Sequence, residues 1–181
     1  MDARGRHRVL VTDTDASPLI LTLVLDAASQ AAFDDLRRAH FPPERNHIAA
    51  HVTLFHALPG LERDGIEADV RSAVDRPSFE VAVVGLRSIG GGVAYDLEAP
   101  ALVDLRRQLA ARWSEDLSRQ DRSGFRPHVT VQNKVAPAAA RSLLAALEAG
   151  FVPWTCEAEG LALWWYRGGP WEHVVTARFP T

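Results

Sequence analysis

The triplet His-Val-Thr stands in this chain twice, as His51-Val52-Thr53 and as His128-Val129-Thr130, and each copy opens a largely apolar run, HVTLF and HVTVQ. Runs of this length and character predict strands, in which alternate side chains point to opposite faces. Histidine and threonine then share one face, while Val52 and Leu54, or Val129 and Val131, anchor the other face in the core. An imidazole beside a hydroxyl is a proton shuttle next to a hydrogen-bond donor. Two such pairs restrict the chain to folds that can bring two like strands to one cavity.

The surroundings of the triplets repeat as well. Residues 1–17 read as a polar lead-in with a short extended piece at Arg8 to Thr12, and Leu19 to Leu25 predicts the first strand. Asp26 can cap a helix over Ala27 to His40, with Ala28, Ala32, Leu36 and Ala39 at helical spacing, before Pro42-Pro43 stops it. After the His51 strand, a weaker helix over about Glu62 to Val74 leads to a strand at Phe79 to Leu86. Gly90-Gly91-Gly92 then turns the chain into a strand at Val93 to Leu97, and Pro100 starts a helix with Leu102, Leu105 and Leu109 on one face. Ser114 to Pro127 is a polar connection to the His128 strand, and an alanine- and leucine-rich helix runs from Pro137 to Gly150. A hairpin of Glu157 to Tyr166 and Trp171 to Phe179, turning at Gly168-Gly169-Pro170, closes the chain. The order strand, helix, His-strand, helix, strand thus appears twice, and the interval from Leu19 to His51 nearly equals that from Val93 to His128. Duplicated lobes related by a pseudo-twofold axis would let the two His-strands meet across a central cleft.

Composition narrows the class further. At 181 residues, with 47% apolar and 24% charged residues, the chain can bury a substantial core and is neither disordered nor fibrous. A formal charge of −3 provides no broad footprint for duplex DNA, so a phosphate-bearing ligand must be recognised at a small local site. One cysteine, Cys156, rules out an intramolecular disulfide and a cysteine-based zinc cluster, and reads as a small buried residue. The basic N-terminus lacks the apolar core of a secretory signal, and the Leu19 to Leu25 run is far too short for a membrane span. A cytoplasmic monomer without membrane attachment is expected.

With these features together, the paired HVTLF and HVTVQ runs resemble the two-histidine phosphoesterase superfamily, also called the 2′-5′ RNA ligase or cyclic phosphodiesterase family, over about Leu19 to Phe179. The resemblance implies an α+β, bilobal, duplicated fold with two antiparallel-rich sheets around a central cleft and helices outside. It implies a single domain over 18–181, with lobe halves of about 18–88 and 89–181. It implies no metal and no cofactor, and hydrolysis of a 2′,3′-cyclic phosphate on an RNA end or small nucleotide. His51 and His128 would be the catalytic pair and Thr53 and Thr130 the phosphate-binding hydroxyls. The residue types suit that chemistry: one histidine deprotonates water, the other protonates the leaving ribose oxygen, and the hydroxyls hold the charged oxygens. Which histidine plays which part is open at this level. Non-catalytic binding of nucleotides or RNA ends, and 2′-5′ end joining by the reverse reaction, are the alternative activities.

A basic residue often follows the triplet in such proteins, whereas here Phe55-His56 follow the first and Gln132-Asn133-Lys134 the second. By strand parity Phe55 is a candidate for stacking a base, and Arg126, Gln132 and Lys134 are candidate substrate contacts. His47 and His51 lie four apart without the glutamate of an HExxH motif, so no metal site is expected there. Trp164, Trp165, Tyr166 and Trp171 gather around the final hairpin, and alternation sends Trp164 and Tyr166 to the face opposite Trp165, one of which can border the cleft.

Overall fold

The computed structural model describes residues 15–180; the extended piece expected at Arg8 to Thr12 lies outside the described residues. The chain folds as β1 (Leu19–Leu25), α1 (Ala27–His40), β2 (Val52–Leu58), α2 (Arg63–Ala73), β3 (Phe79–Ser88), β4 (Val93–Glu98), α3 (Pro100–Arg112), β5 (His128–Gln132), α4 (Pro137–Ala149), β6 (Trp154–Trp165) and β7 (Glu172–Arg178). No described helix is long and apolar enough to cross a membrane.

Every strand pairing is antiparallel, and the strands run β2-β1-β6-β3-β4-β5 with β7 added to β6. The α+β architecture is the expected one, but the strands join into one seven-stranded sheet instead of two separate ones. The reason is the length of β6. Its first residues, Trp154 to Ala158, pair with β3, and its remainder pairs with β1 on one side and β7 on the other. The arms β2-β1 and β5-β4-β3 therefore lie on either side of the shared strand β6. Although β2 and β5 stand at opposite ends of the strand order, they touch each other, so the sheet curls until its two His-bearing edges meet.

Helix α1 shows how the packing is set. Asp26 caps it, accepting from the Ser29 backbone N at 2.8 Å and the Ser29 hydroxyl at 2.6 Å. Its buried stripe is Ser29, Phe33 and Arg37, not the alanines that the spacing suggested. Alanine buries little area, whereas the Phe33 ring packs against Tyr95 and Trp154 at 5.7 and 5.6 Å and so decides which face turns inward. In α3 the leucine stripe is as read: Leu102, Leu105 and Leu109 are buried. The core is continuous, running from Leu19, Leu21, Val52 and Leu54 through Val81 and Val83 to Val129 and Val131. Gly92 is needed where β4 begins against the end of β5, since a Cβ there would lie 1.9 Å from the Gln132 carbonyl oxygen.

Candidate active site

The two triplets sit on strands built alike. In β2, Thr53 pairs with Thr22 but Phe55 pairs with Leu21; in β5, Thr130 pairs with Ala94 but Gln132 pairs with Val93. Each strand thus carries an extra residue immediately after its threonine, a β-bulge. A bulge reverses the alternation beyond it. Leu54 and Phe55 are both buried, as are Val131 and Gln132, while His51, Thr53, His128 and Thr130 stay half-exposed. The likeness of the two strands therefore extends past the matching letters into backbone geometry.

This bulge corrects two expectations based on parity. Phe55 does not face a ligand: it is fully buried, with its ring edge-on to Trp113 at 5.1 Å and under the Arg106 guanidinium at 4.7 Å. Gln132 is likewise buried, and its Oε1 has no hydrogen-bond partner among the described residues. Lys134 lies in the turn after β5, exposed and with φ of 64°, its backbone N bonded to Asn133 Oδ1. Arg126 is exposed, and its guanidinium is paired with Asp96 at 2.8 Å.

The two histidines are anchored identically. His51 Nδ1 lies 2.8 Å from the Ala49 carbonyl oxygen and His128 Nδ1 lies 2.9 Å from the Arg126 carbonyl oxygen, in each case the residue two before. A carbonyl only accepts, so Nδ1 carries the proton in the neutral ring and Nε2 is left with its lone pair. Burial pushes both imidazoles below their ordinary range, and the neighbouring cations and the other histidines add to the effect. His51 is lowered to about 4, with Arg37, His128 and His56 contributing after burial. For His128 burial again dominates, Arg87 and His56 lower it further, and the Asp96 carboxylate opposes. Each histidine thus feels charges across the cleft.

Several residues of this region could not be picked out from the sequence. Arg37, 4% exposed on α1, donates through Nε to Asn46 Oδ1 at 2.8 Å and to the Ile48 carbonyl at 3.1 Å, and through Nη1 to the Thr130 carbonyl at 2.9 Å. One guanidinium therefore ties the backbone leading into the first triplet to the backbone of the second. The available signal was its place four residues after Phe33 on the buried stripe. Asp96, directly opposite His128 in the β4–β5 ladder, is clamped between Arg87 at 2.7 Å and Arg126. His56, carried out to solvent by the bulge, sets its Nδ1 3.1 Å from Asp121 Oδ1. Asp121 also accepts from the His56 and Ala57 backbone N atoms and from Ser118 Oγ. Burial opposes its ionisation, but these hydrogen bonds prevail and hold the carboxyl down at about 2. The Trp171 ring lies 4.6 Å from that of His51. Among the described residues, no group of three or more His, Cys, Asp or Glu side chains is placed to hold a metal ion.

The arrangement is a pair of tautomer-fixed imidazoles with free Nε2 atoms, flanked by two hydroxyls, with arginines grouped on the His128 side. Solved structures share the fold. The protein TT0787 of Thermus thermophilus is 18% identical, with a TM-score of 0.64 over 90% of this chain and 97% of that one. LigT of E. coli, solved with 3′-AMP, is 17% identical, with a TM-score of 0.60 over 92% of this chain and 100% of that one. A search of curated protein sequences finds no match. The family model of the 2′-5′ RNA ligase superfamily matches residues 25–170, which include both triplets. The chain therefore belongs to the 2′-5′ RNA ligase superfamily, the two-histidine phosphoesterases.

Proposed function

We propose that the protein is a metal-independent phosphodiesterase that opens a 2′,3′-cyclic phosphate, on an RNA end or a small nucleotide, with His51 and His128 exchanging protons. The observation that carries this reading is the matched Nδ1 anchoring of the two histidines, which leaves both Nε2 atoms free for proton transfer. His51, held neutral by burial, is the base: its Nε2 takes a proton from water as the water oxygen attacks phosphorus. His128, faced by the Asp96 carboxylate, is the acid: its Nε2–H protonates the ribose oxygen as the P–O bond breaks. The product is a phosphomonoester, and the two histidines end with their protonation states exchanged. Thr53 and Thr130 donate to the non-bridging oxygens, whose negative charge must be held in the transition state. A nucleoside 3′-phosphate, the kind of molecule with which the similar LigT was solved, is one product of such a reaction.

The test is hydrolysis of 2′,3′-cyclic nucleotides and of cyclic-phosphate-ended oligonucleotides in the presence of EDTA. Turnover is expected to survive the chelator, and His51→Ala or His128→Ala is expected to lower it by about 10²–10⁴-fold, the range for loss of a general acid or base. Inactivity on every cyclic substrate would remove the substrate assignment. Wild-type rates in both variants would remove the mechanism.

A further inference from the structure

The two sides of the cleft differ. A cavity of about 470 Å³ opens beside His51, between strands β1, β6 and β7 and the α1 and 47–51 segments; His51 is in its wall and His128 is not. Its floor is small because Thr22, Ala162 and Thr176 stand in one row across the three strands. Its walls include the indoles of Trp164 and Trp171. Both are held by contacts within the protein. Trp164 Nε1 donates to Thr22 Oγ1 at 2.9 Å, and Trp171 lies between the His51 ring at 4.6 Å and the Trp164 ring at 6.3 Å. Aromatic surface that is already ordered binds a flat ring without the entropic cost of arranging it.

The charges at this cavity point the same way. The carboxylate that lines it is Asp34, whose Oδ1 accepts from Ala50 N and Gln30 Nε2, while its other oxygen has no donor among the described residues. Arg178, at the margin, is already paired with Glu159 at 2.5 Å. The arginines Arg87 and Arg126 are on the His128 side, on Asp96. An anion is therefore disfavoured beside Trp164 and Trp171, and an uncharged ring carrying a hydrogen-bond donor is favoured. The volume lies within the range of sites that enclose a whole small ligand.

We infer that this cavity is a base-binding subsite, which takes the uncharged, amino-bearing purine of the nucleoside whose phosphate lies between His51 and His128, with its exocyclic amino group directed at Asp34. The inference rests on the phosphodiesterase reading for the placement of the phosphate. It gives the cleft a direction, with the base towards His51 and any further phosphates towards the arginines beside His128.

The experiment compares kcat/KM for adenosine 2′,3′-cyclic phosphate with that for glycerol 1,2-cyclic phosphate, which carries the same strained ring and no base. The wild-type protein is expected to prefer the adenosine compound by about five- to a hundred-fold, the span that base-on-indole stacking supports. Thr176→Trp, which fills the floor, is expected to bring that ratio close to one, and Trp171→Ala to lower it several-fold, with near-ultraviolet circular dichroism checking the fold of each. An equal rate on the two substrates in wild type overturns the inference, as does an undiminished preference in both folded variants. If neither substrate is hydrolysed, the enzymatic reading fails and the subsite is judged by calorimetric titration with adenosine itself. Binding to wild type that is lost in Thr176→Trp upholds the subsite; absence of binding to wild type overturns it.

Discussion

Replacement of Arg37 by methionine tests whether the two halves of the site are held together by one buried cation. Methionine keeps the aliphatic stem and the helix propensity of α1, so the loss is confined to the guanidinium. That group makes three hydrogen bonds, to Asn46 Oδ1, Ile48 O and Thr130 O, at 2.8 to 3.1 Å, and covers the Phe41 ring at 4.0 Å. A hydrogen bond from a charged donor contributes about 1.5–3 kcal/mol, and the three acceptors lose their partner together. Because such bonds are not additive and some water can reach the opened space, the expected cost is about 3–5 kcal/mol. For a chain of this size that lowers the midpoint of thermal unfolding by roughly 6–20 °C. Arg37→Lys separates charge from geometry: a point charge cannot reach acceptors on both sides, so it should recover only a minor part of the loss. Unfolding followed by circular dichroism at neutral pH measures both variants. A loss below about 1 kcal/mol in Arg37→Met, the value of an ordinary surface change, or full recovery in Arg37→Lys, would refute the reasoning.

Two further outcomes follow from the titrating groups. The proposed base works once His51 is neutral, above about 4, and the proposed acid works only while His128 is protonated, below a value itself lowered from 6.5. For the free enzyme, kcat/KM should therefore peak on the acid side of 6.5 and fall about tenfold per pH unit beyond the alkaline limb, and an optimum above pH 7.5 would contradict the assigned roles. Asp121, lowered from 3.8 to about 2, contributes about 2 kcal/mol of stability that is complete above 3.8 and lost as pH falls through 2. Asp121→Asn should cost about 2–4 kcal/mol in urea unfolding at pH 7, because an amide cannot accept on both atoms from the His56 and Ala57 backbones, and the difference from wild type should shrink towards pH 2.

Much of the secondary structure was legible because it depends on neighbours in the chain. Periodicity, the Asp26 cap, Pro100, Pro137 and Gly150 place their elements from local chemistry alone, and β1 and α1 have the bounds that the sequence indicates. The limits of that legibility show at Phe55. Strand parity sent it to the cleft, and a bulge one residue after Thr53 sent it to the core and His56 outward. A bulge is decided by how β2 registers on β1, which no short window contains. For the same reason Arg37 reads as a helix-surface residue until Phe33 fixes the inward face of α1.

The doubled His-Val-Thr, by itself, pointed to the family and placed a histidine and a threonine together on each of two strands, because residue type and strand alternation are local properties. Only the tertiary structure decided how the two copies meet. The long strand β6 joins both arms into one sheet whose outermost strands curl into contact, and Arg37 bridges them from a helix. It also decided that the halves are unlike, with indoles and a cavity beside His51 and arginines beside His128. These are contacts between residues far apart in sequence, set by register, packing area and the pairing of buried charge, which no short window of the chain contains.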